Sequence, residues 1–532
     1  MKQAKLIVKN YRCFSDVNPL EIDLAPGFTA LVGKNDSGKS TFLRLFYELR
    51  NLWQILSGNY ADMFNSTWSA SVNYRNVSDN EEIFCNTNDR PISLEIHIVE
   101  PRDSTGQHFP VLARVIASCD RSEPNRWRFR CFSSTDLHTE INVPANVGAG
   151  KLGERAVRIP EVADIDCGDF IDLMRVLSNA LYIGSFRNAI NEGAAEYFDL
   201  AIGSSFISTW NLWKTGGIKS NNRATERVTK EIRQIFEFDR LEINASEALK
   251  TLHIYMNGKP YLLSEVGSGL AQFIIVFGNA AIKTPSLILI DEPELNLHPT
   301  LQMDFITALA SFSTDGIIFA THSIGLSRAV AERIYSFQKE ENATIVRPFE
   351  AVSNYAEFVG ELSFSAFKDM GYDRILLVEG VNDVKTIQQF LRMVKKDHQT
   401  VILPLGGDQL AKGGVEAELA EFTRLSENVA ALVDSERQKK DAKASKIRLA
   451  FEAVCKKLSI DICLTERRAI ENYFTDSAIK SQFGPQYGSL KPYERLKGSA
   501  MPWGKADNWR IARNMSPDDI RNTDVGQFLS RI

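Results

Sequence analysis

What this sequence lacks narrows its chemistry first. Seven cysteines, Cys13, Cys85, Cys119, Cys131, Cys167, Cys455 and Cys463, are scattered over 532 residues, none in a C-x-x-C pair or beside a histidine at zinc spacing. That excludes a zinc ribbon and a disulfide framework, so buried free thiols in a reducing cytoplasm are expected. No stretch approaches the ~18 consecutive apolar residues of a membrane span. The opening MKQAKLIVKN has no apolar h-region, so no signal peptide is expected. An excess of positive charge is also missing, since 62 Lys+Arg face 67 Asp+Glu, for a formal net charge of −5. A strongly basic nucleic-acid coat is thereby excluded, while a local basic groove or a metal-bridged site remains compatible with DNA. Internal repeats and low-complexity tracts are absent as well.

What is present reads as a soluble, mixed α/β chain of two to four domains. AKLIVK at 4–9, LEIDL at 20–24 and FTALV at 28–32 read as short strands, the last entering a glycine-rich loop and then one helical pattern, STFLRLFYELRNLWQIL. Residues 54–90 are polar and rich in Asn and Ser, the composition of a surface insertion. Alternation at 92–100 and 110–132 predicts antiparallel strands, and 133–165 is weakly patterned. Helices are predicted over 169–182 and 222–237, and an Asn-Gly turn inside TLHIYMNGKPYLL predicts a hairpin at 251–263. SLILID at 286–291 and GIIFATH at 316–322 have the unbroken apolar character of buried parallel strands. After about residue 365 the alternation restarts with RILLVEG, a helix at 383–396, TVILPLGG, a helix near 414–426, and VAALVDSE. The basic run 437–447 reads as a solvated loop or helix start, with Lys439, Lys440 and Lys443 on a solvated face or against phosphates.

Two constellations carry chemistry. Gly33-Lys34-Asn35-Asp36-Ser37-Gly38-Lys39-Ser40 fits G-x-x-x-x-G-K-[ST], follows a strand and opens a helix. Its glycines let N–H groups turn inward around phosphates, and the helix N-terminus adds positive dipole. Gly33, Asn35, Asp36, Ser37, Gly38 and Thr41 would then line the cradle. Lys39 would reach the β/γ-phosphates, and the Ser40 hydroxyl would hold Mg²⁺. The strand 286–291 ends in Asp291-Glu292, an aspartate suited to Mg²⁺ and a glutamate suited to orienting or deprotonating water. His322 ends the strand 316–322, placed to sense a γ-phosphate.

The order of these motifs, with DEPELNLHP at 291–299 and ATHS at 320–323, resembles the ABC-type ATPase fold of the SMC and RecF superfamily over roughly residues 1–350. The resemblance implies ATP as ligand and head-to-head dimerisation, in which a signature segment of one subunit completes the site of another. The match to that segment is V-G-S-G-L-A-Q at 266–272, carrying Gly267, Ser268 and Gly269. Its serine is shifted by one from the usual pattern, so either Ser268 or Ser264 would make the trans contact. The span from Gly38 to Gly267 lacks sustained heptads, which separates this chain from proteins with a long coiled-coil arm.

The second constellation is acidic. Glu379-Gly380 ends the strand RILLV, with Asp383 just beyond, and VAALV runs into Asp434-Ser435-Glu436. On adjacent parallel strands these acids would share one carboxyl edge, where such sheets place their sites. Alternation puts Asp434 and Glu436 on one side of an extended chain. Carboxylates gathered there would repel one another unless a hard cation, Mg²⁺ or Mn²⁺, bound. Asp383 is open to two roles, ligand or cap of the helix that follows.

A strand ending in Glu-Gly followed by a strand ending in D-x-D resembles the Toprim domain, with Glu436 standing where the second aspartate is usual. An ABC ATPase followed by Toprim resembles the OLD (overcoming lysogenisation defect) family of prokaryotic nucleases. Arg467-Arg468-Ala469-Ile470-Glu471-Asn472-Tyr473-Phe474 is similar to that family's R-x-x-E-N-Y element. The family's late lysine is matched by Lys505 in WGKADN, or by Lys497.

The resemblance implies an α/β fold: an ABC-type P-loop ATPase domain at 1–355, with a helical dimerisation insertion at about 168–245, and a Toprim (Rossmann-like) domain at 366–532. It implies an ATP-hydrolysing, Mg²⁺- or Mn²⁺-dependent DNA endonuclease of anti-phage defence, cytoplasmic, a homo-dimer or homo-tetramer, with a defence-operon partner conceivable and no membrane. Glu292 and His322 would serve ATP hydrolysis. Glu379, Asp434 and Glu436 would hold the cleaving metal ions, and Lys505 would meet the charge of the transition state. The alternative is an ATP-gated DNA sensor or clamp whose Toprim domain binds without cutting. Arg187 reads as a phosphate contact or a salt-bridge partner, and Trp503 and Trp509 as core residues or base contacts.

Overall fold

The computed structural model describes residues 2–141, 143, 148–160, 162–185, 195–340, 343–349, 374–397, 399–405, 416, 419–420, 422–423 and 428–532. Arg187 and most of the helix expected near 414–426 lie outside the described residues. The chain separates into two compact units, one of Met1–His322 and Arg333–Phe349, the other of Ser323–Glu332 and Glu350–Ile532.

The first unit holds two six-stranded sheets. One is antiparallel, in the order Leu20–Leu24, Ala4–Lys9, Ile92–Ile98, Leu112–Cys119, Arg126–Ser133, Ala70–Ser71. The other runs Leu181–Ile183, Leu287–Asp291, Gly316–Thr321, Gly27–Gly33, Arg333–Glu340, Ala343–Pro348 and is parallel except for its last pair. Every residue of Leu287–Asp291 and of Gly316–Thr321 is buried, as expected for strands covered on both faces. A single apolar core joins Leu6 and Val8 of the antiparallel sheet to Phe42, Leu45 and Trp53 of the helices after the P-loop and to Leu287 and Leu289 of the parallel sheet. The expected hairpin is present, and both turn residues, Asn257 and Gly258, are left-handed as a two-residue hairpin turn requires.

Four expectations need correction. The helical pattern after the P-loop breaks at Leu49 into Lys39–Glu48 and Arg50–Gly58. Residues 54–90 are not a surface insertion, because Leu56, Tyr60, Met63, Phe64, Ile83 and Phe84 are buried in the core. These apolar residues are spread among many polar ones, so composition concealed them. The weakly patterned stretch contains a three-stranded antiparallel sheet, Gly150–Leu152, Ala156–Ile159 and Ala163–Asp166. The helix expected over 169–182 ends at Ser178, and Leu181–Ile183 instead forms the edge strand beside Leu287–Asp291. All seven cysteines are free; five are buried, while Cys13 and Cys463 are partly exposed.

The second unit is built on a four-stranded, fully parallel sheet in the order Thr400–Pro404, Arg374–Val378, Val429–Val433, Asp461–Leu464. The first strand in sequence lies between the second and the third, so the winding direction reverses between Arg374–Val378 and Val429–Val433. A crevice opens at the carboxyl end of such a switch point, and ligands settle there in open α/β sheets. The segment Ser323–Glu332 belongs to this unit, where the wholly buried Lys385 ammonium pairs with Glu332. No helix among the described residues is long and apolar enough to cross a membrane.

Within the first unit, Arg50 is buried with Asp199, donating to Oδ1 and Oδ2 at 2.5 Å each, while the Tyr182 N–H donates to Oδ2 at 2.8 Å. Asp199→Ala would strand the guanidinium, at a cost of about 3–5 kcal/mol. Denaturant unfolding checks this; a loss no larger than the ~1 kcal/mol of a surface pair would contradict it.

Candidate functional site

The P-loop leaves the Gly27–Gly33 strand and closes onto the N-terminus of the Lys39–Glu48 helix. Gly38, at φ 96, has no room for a side chain, since a Cβ would stand 2.9 Å from Cys13 Sγ. At Gly33 a Cβ would come within 2.2 Å of the Phe337 carbonyl oxygen. Lys39 is buried and donates to the Gly33 and Lys34 carbonyls at 2.7 and 2.8 Å. Burial lowers its pKa, against the opposing pull of Asp291, Glu292 and Glu294. Asn35 and Asp36 are exposed at the loop tip, where Asp36 pairs with Lys339, while Ser37 is buried with its hydroxyl unpartnered.

Asp291 sits at the carboxyl end of the Leu287–Asp291 strand. Burial raises its pKa, while the hydrogen bond from Ser40 works in the opposite direction. Its Oδ1 is buried without a partner. A hydroxyl and a carboxylate with an orphaned hard oxygen are the donors that a divalent cation would satisfy. Glu292 stands in the left-handed region at φ 51, a strained setting for a side chain of this type. It is held from two sides, by the Ser185 hydroxyl at 2.8 Å and by His322 Nε2 at 3.2 Å. Glu294 Oε1 accepts from the Thr321 hydroxyl at 2.7 Å and from the His322 N–H at 2.9 Å, so it fixes the backbone that carries the histidine. Gly267 caps the Ser268–Lys283 helix, and a Cβ at Gly269 would touch Leu297 at 3.3 Å, so this helix start lies against the loop after Glu294. Ser264 lies in the short turn Leu263–Glu265 ahead of it. Ser185 escaped sequence reasoning although it lies in the YIGSFRN stretch; no spacing rule points to it.

The acidic site of the second unit forms at the switch point. Glu379 follows the Arg374–Val378 strand and Asp434 follows Val429–Val433, its parallel neighbour. Asp383 closes the start of the Val381–Met393 helix, its Oδ2 accepting from the Gly380 N–H at 3.0 Å. The cap role is thus present, and the same carboxylate also faces its acidic neighbours. Burial first, then Glu379 and Glu471, raise its pKa against the opposing Lys505. Asp434 is raised well above the usual carboxylate range by burial and by Asp383, Glu471 and Glu379. Its Oδ1 accepts the Ile470 N–H at 2.9 Å.

The RRAIENYF element wraps this edge. Glu471 is almost wholly buried and receives Lys505 Nζ at 2.9 Å and Asn508 Nδ2 at 3.2 Å. Asn508 is in turn bonded by Trp503 Nε1 at 3.0 Å. Burial lowers the Lys505 ammonium, but Glu471, Asp434 and Asp383 outweigh it, so its pKa is raised. Lys497 is exposed. Trp503 and Trp509 are buried core residues. Lys439, Lys440 and Lys443 lie on an exposed face.

One geometric expectation fails. The strand ends at Val433, and Glu436 takes a left-handed φ of 55, so alternation along an extended chain does not reach it. Glu436 is half-exposed and faces Arg448 at 3.8 Å rather than the Asp383–Asp434 group. Arg448, which sequence reasoning passed over, also donates to Glu379. Among the described residues no three His, Cys, Asp or Glu side chains converge closely enough to hold a metal ion. The donor chemistry nevertheless fits one, because hard oxygens predominate and Glu379 Oε2 is buried without a partner.

The model of the AAA ATPase domain matches residues 1–132 and 183–326, just over half of the chain. The Old nuclease of Escherichia phage P2 is 24% identical over 436 residues, which cover 74% of this chain and 70% of that protein. Among solved structures, the SMC head domain from Thermotoga maritima is 15% identical, covering 66% of this chain and 100% of that one, at a TM-score of 0.35. An SMC head bound to the C-winged helix domain of ScpA is 11% identical, covering 66% and 98%, at a TM-score of 0.38. Scores that low carry no weight in assigning the fold, which rests on the sheet order, the P-loop and the family match. With its P-loop and its Asp291-Glu292 strand end, the chain, which is similar to the Old nuclease of phage P2, belongs to the AAA ATPase domain family.

Proposed function

We propose that this protein is an ATP-hydrolysing, divalent-metal-dependent DNA endonuclease of OLD type, acting in anti-phage defence. Its second unit, from about residue 366, would be a Toprim domain, and its ATPase domain, to about 355, would form a homo-dimer or homo-tetramer through the insertion at about 168–245. The observation that carries the reading is the gathering of Glu379, Asp383, Asp434 and Glu471 with Lys505 at the switch point of a parallel sheet. Carboxylates brought together out of water need cations, and an acidic edge with one lysine is suited to a phosphodiester.

In the first unit the P-loop N–H groups and Lys39 would bind the phosphates of ATP. Ser40 and Asp291 would hold Mg²⁺. Glu292, fixed by Ser185 and His322, would orient the attacking water. Ser268 or Ser264 of a second subunit would complete the site. In the second unit Glu379, Asp434 and Glu436 would hold Mg²⁺ or Mn²⁺, with Asp383 supporting them from the helix start. Bound there, such ions polarise a phosphodiester and lower the pKa of water. Lys505, held on Glu471, would face the charge that develops on the scissile phosphate. A non-cleaving sensor is the second reading, favoured by the outward turn of Glu436.

Incubation of supercoiled plasmid with Mg²⁺ or Mn²⁺ tests the main reading. Wild-type protein is expected to nick, and Glu379→Ala to lose nicking while ATP hydrolysis is retained. Undiminished nicking by that variant would refute the assignment, and no cutting by the wild type would favour the sensor. Lys39→Ala removes a charged hydrogen-bond donor from the phosphate cradle, so ATP binding should weaken by roughly ten- to a hundredfold. Isothermal titration checks this, and unchanged affinity would contradict the role.

A further inference from the structure

The helix Lys446–Lys457 places its residues against the usual preference. Arg448 is only 5% exposed, while its neighbours Ile447 and Leu449 are 49% and 39% exposed. An arginine goes inside and two aliphatic residues stay outside only when something inside repays the desolvation of the guanidinium. The repayment is visible. Arg448 Nη2 donates to Glu379 Oε1 and lies 3.8 Å from Glu436 Oε1. Its own Nε is buried with no hydrogen-bond partner, and so is Glu379 Oε2. The pair is therefore incompletely satisfied on both sides, unlike a closed bidentate fork.

The carboxylates of this edge fall into two groups by the cation that meets them. Lys505 meets Glu471 and acts on Asp434 and Asp383. Arg448 meets Glu379 and Glu436. We propose that Arg448 is a resident counter-ion that competes with a divalent cation for Glu379 and Glu436, and so sets the affinity of this edge for metal. This rests on the metal-dependent reading above. With the guanidinium on Oε1, only Oε2 of Glu379 is open to a metal ion, so ligation through both oxygens requires the exchange of one cation for the other. Arg448 is thus a positioning residue, acting through Glu379. The two pairings also account for the separation of Glu436 from Asp434, since each faces a different internal cation.

Mn²⁺ titration of the nucleotide-free full-length protein, followed by the electron paramagnetic resonance of free Mn²⁺, tests this without reference to cutting. Removing a full charge from about 5 Å away should tighten Mn²⁺ binding by roughly ten- to a hundredfold. Arg448→Gln and Arg448→Met both keep part of the stem, and either one that unfolds at the wild-type temperature is expected to show that gain. Arg448→Lys keeps the charge and is expected to stay near wild type. A merely structural arginine would leave Mn²⁺ affinity unchanged or weaken it on replacement, and either result in a folded variant would overturn the proposal. Glu379→Ala separates the two levels. If it weakens Mn²⁺ binding while Arg448→Gln changes nothing, the counter-ion role falls and the metal reading stands. If neither it nor the Arg448 variants alter Mn²⁺ binding, both fall.

Discussion

A carboxylate taken out of water at the end of a parallel strand costs several kcal/mol unless a cation meets it. Both units of this protein are arranged around that requirement. In the first, Asp291 is buried at a strand end, with the Ser40 hydroxyl against it and the Lys39 charge nearby. In the second, Asp383, Asp434 and Glu471 share Lys505, while Glu379 and Glu436 share Arg448. In each unit a hard oxygen remains buried and unpaired, Asp291 Oδ1 in one and Glu379 Oε2 in the other. The internal cations thus hold these edges together and leave each with an oxygen that a metal ion would complete.

Backbone geometry does the placing. Parallel pairing brings Glu379 and Asp434 to one edge because their strands are neighbours at the point where the winding reverses. The first turn of the following helix then delivers Asp383, which ties the Gly380 N–H as it arrives. Glu292 and Glu436 each follow a strand end and each take a left-handed conformation, which turns their side chains away from the line of the strand. For Glu292 the turn brings Ser185 and His322 within reach. For Glu436 it leads to Arg448. The network from Trp503 through Asn508 to Glu471 and Lys505 fixes the lysine from behind, so core packing and site geometry are continuous there.

Most of this was readable where chemistry and local structure coincide in a short stretch. The P-loop, the Asp291-Glu292 strand end and the hairpin turn at Asn257-Gly258 each carry their own spacing, and each lies where the sequence places it. The edge acids were found because a strand pattern ran straight into them. What escaped depended on distant pairing or on a single dihedral angle. Residues 54–90 gave no period, yet Tyr60, Phe64 and Phe84 are core residues. Glu436 was assigned to the side of Asp434 by an alternation that stops at Val433. Arg448 directly follows the basic run 437–447 that reads as solvated, and only its partner, 69 residues earlier in the chain, explains its burial.

Anomalous scattering from crystals grown with Mn²⁺ would test the central claim most directly, because it locates the cation rather than inferring it from activity. A peak beside Glu379 and Asp434, with the Arg448 guanidinium drawn away from Glu379, is the expected result. Crystals carrying Mn²⁺ at the Asp291 site but none at the Glu379 edge, with Arg448 still on Glu379, would contradict it.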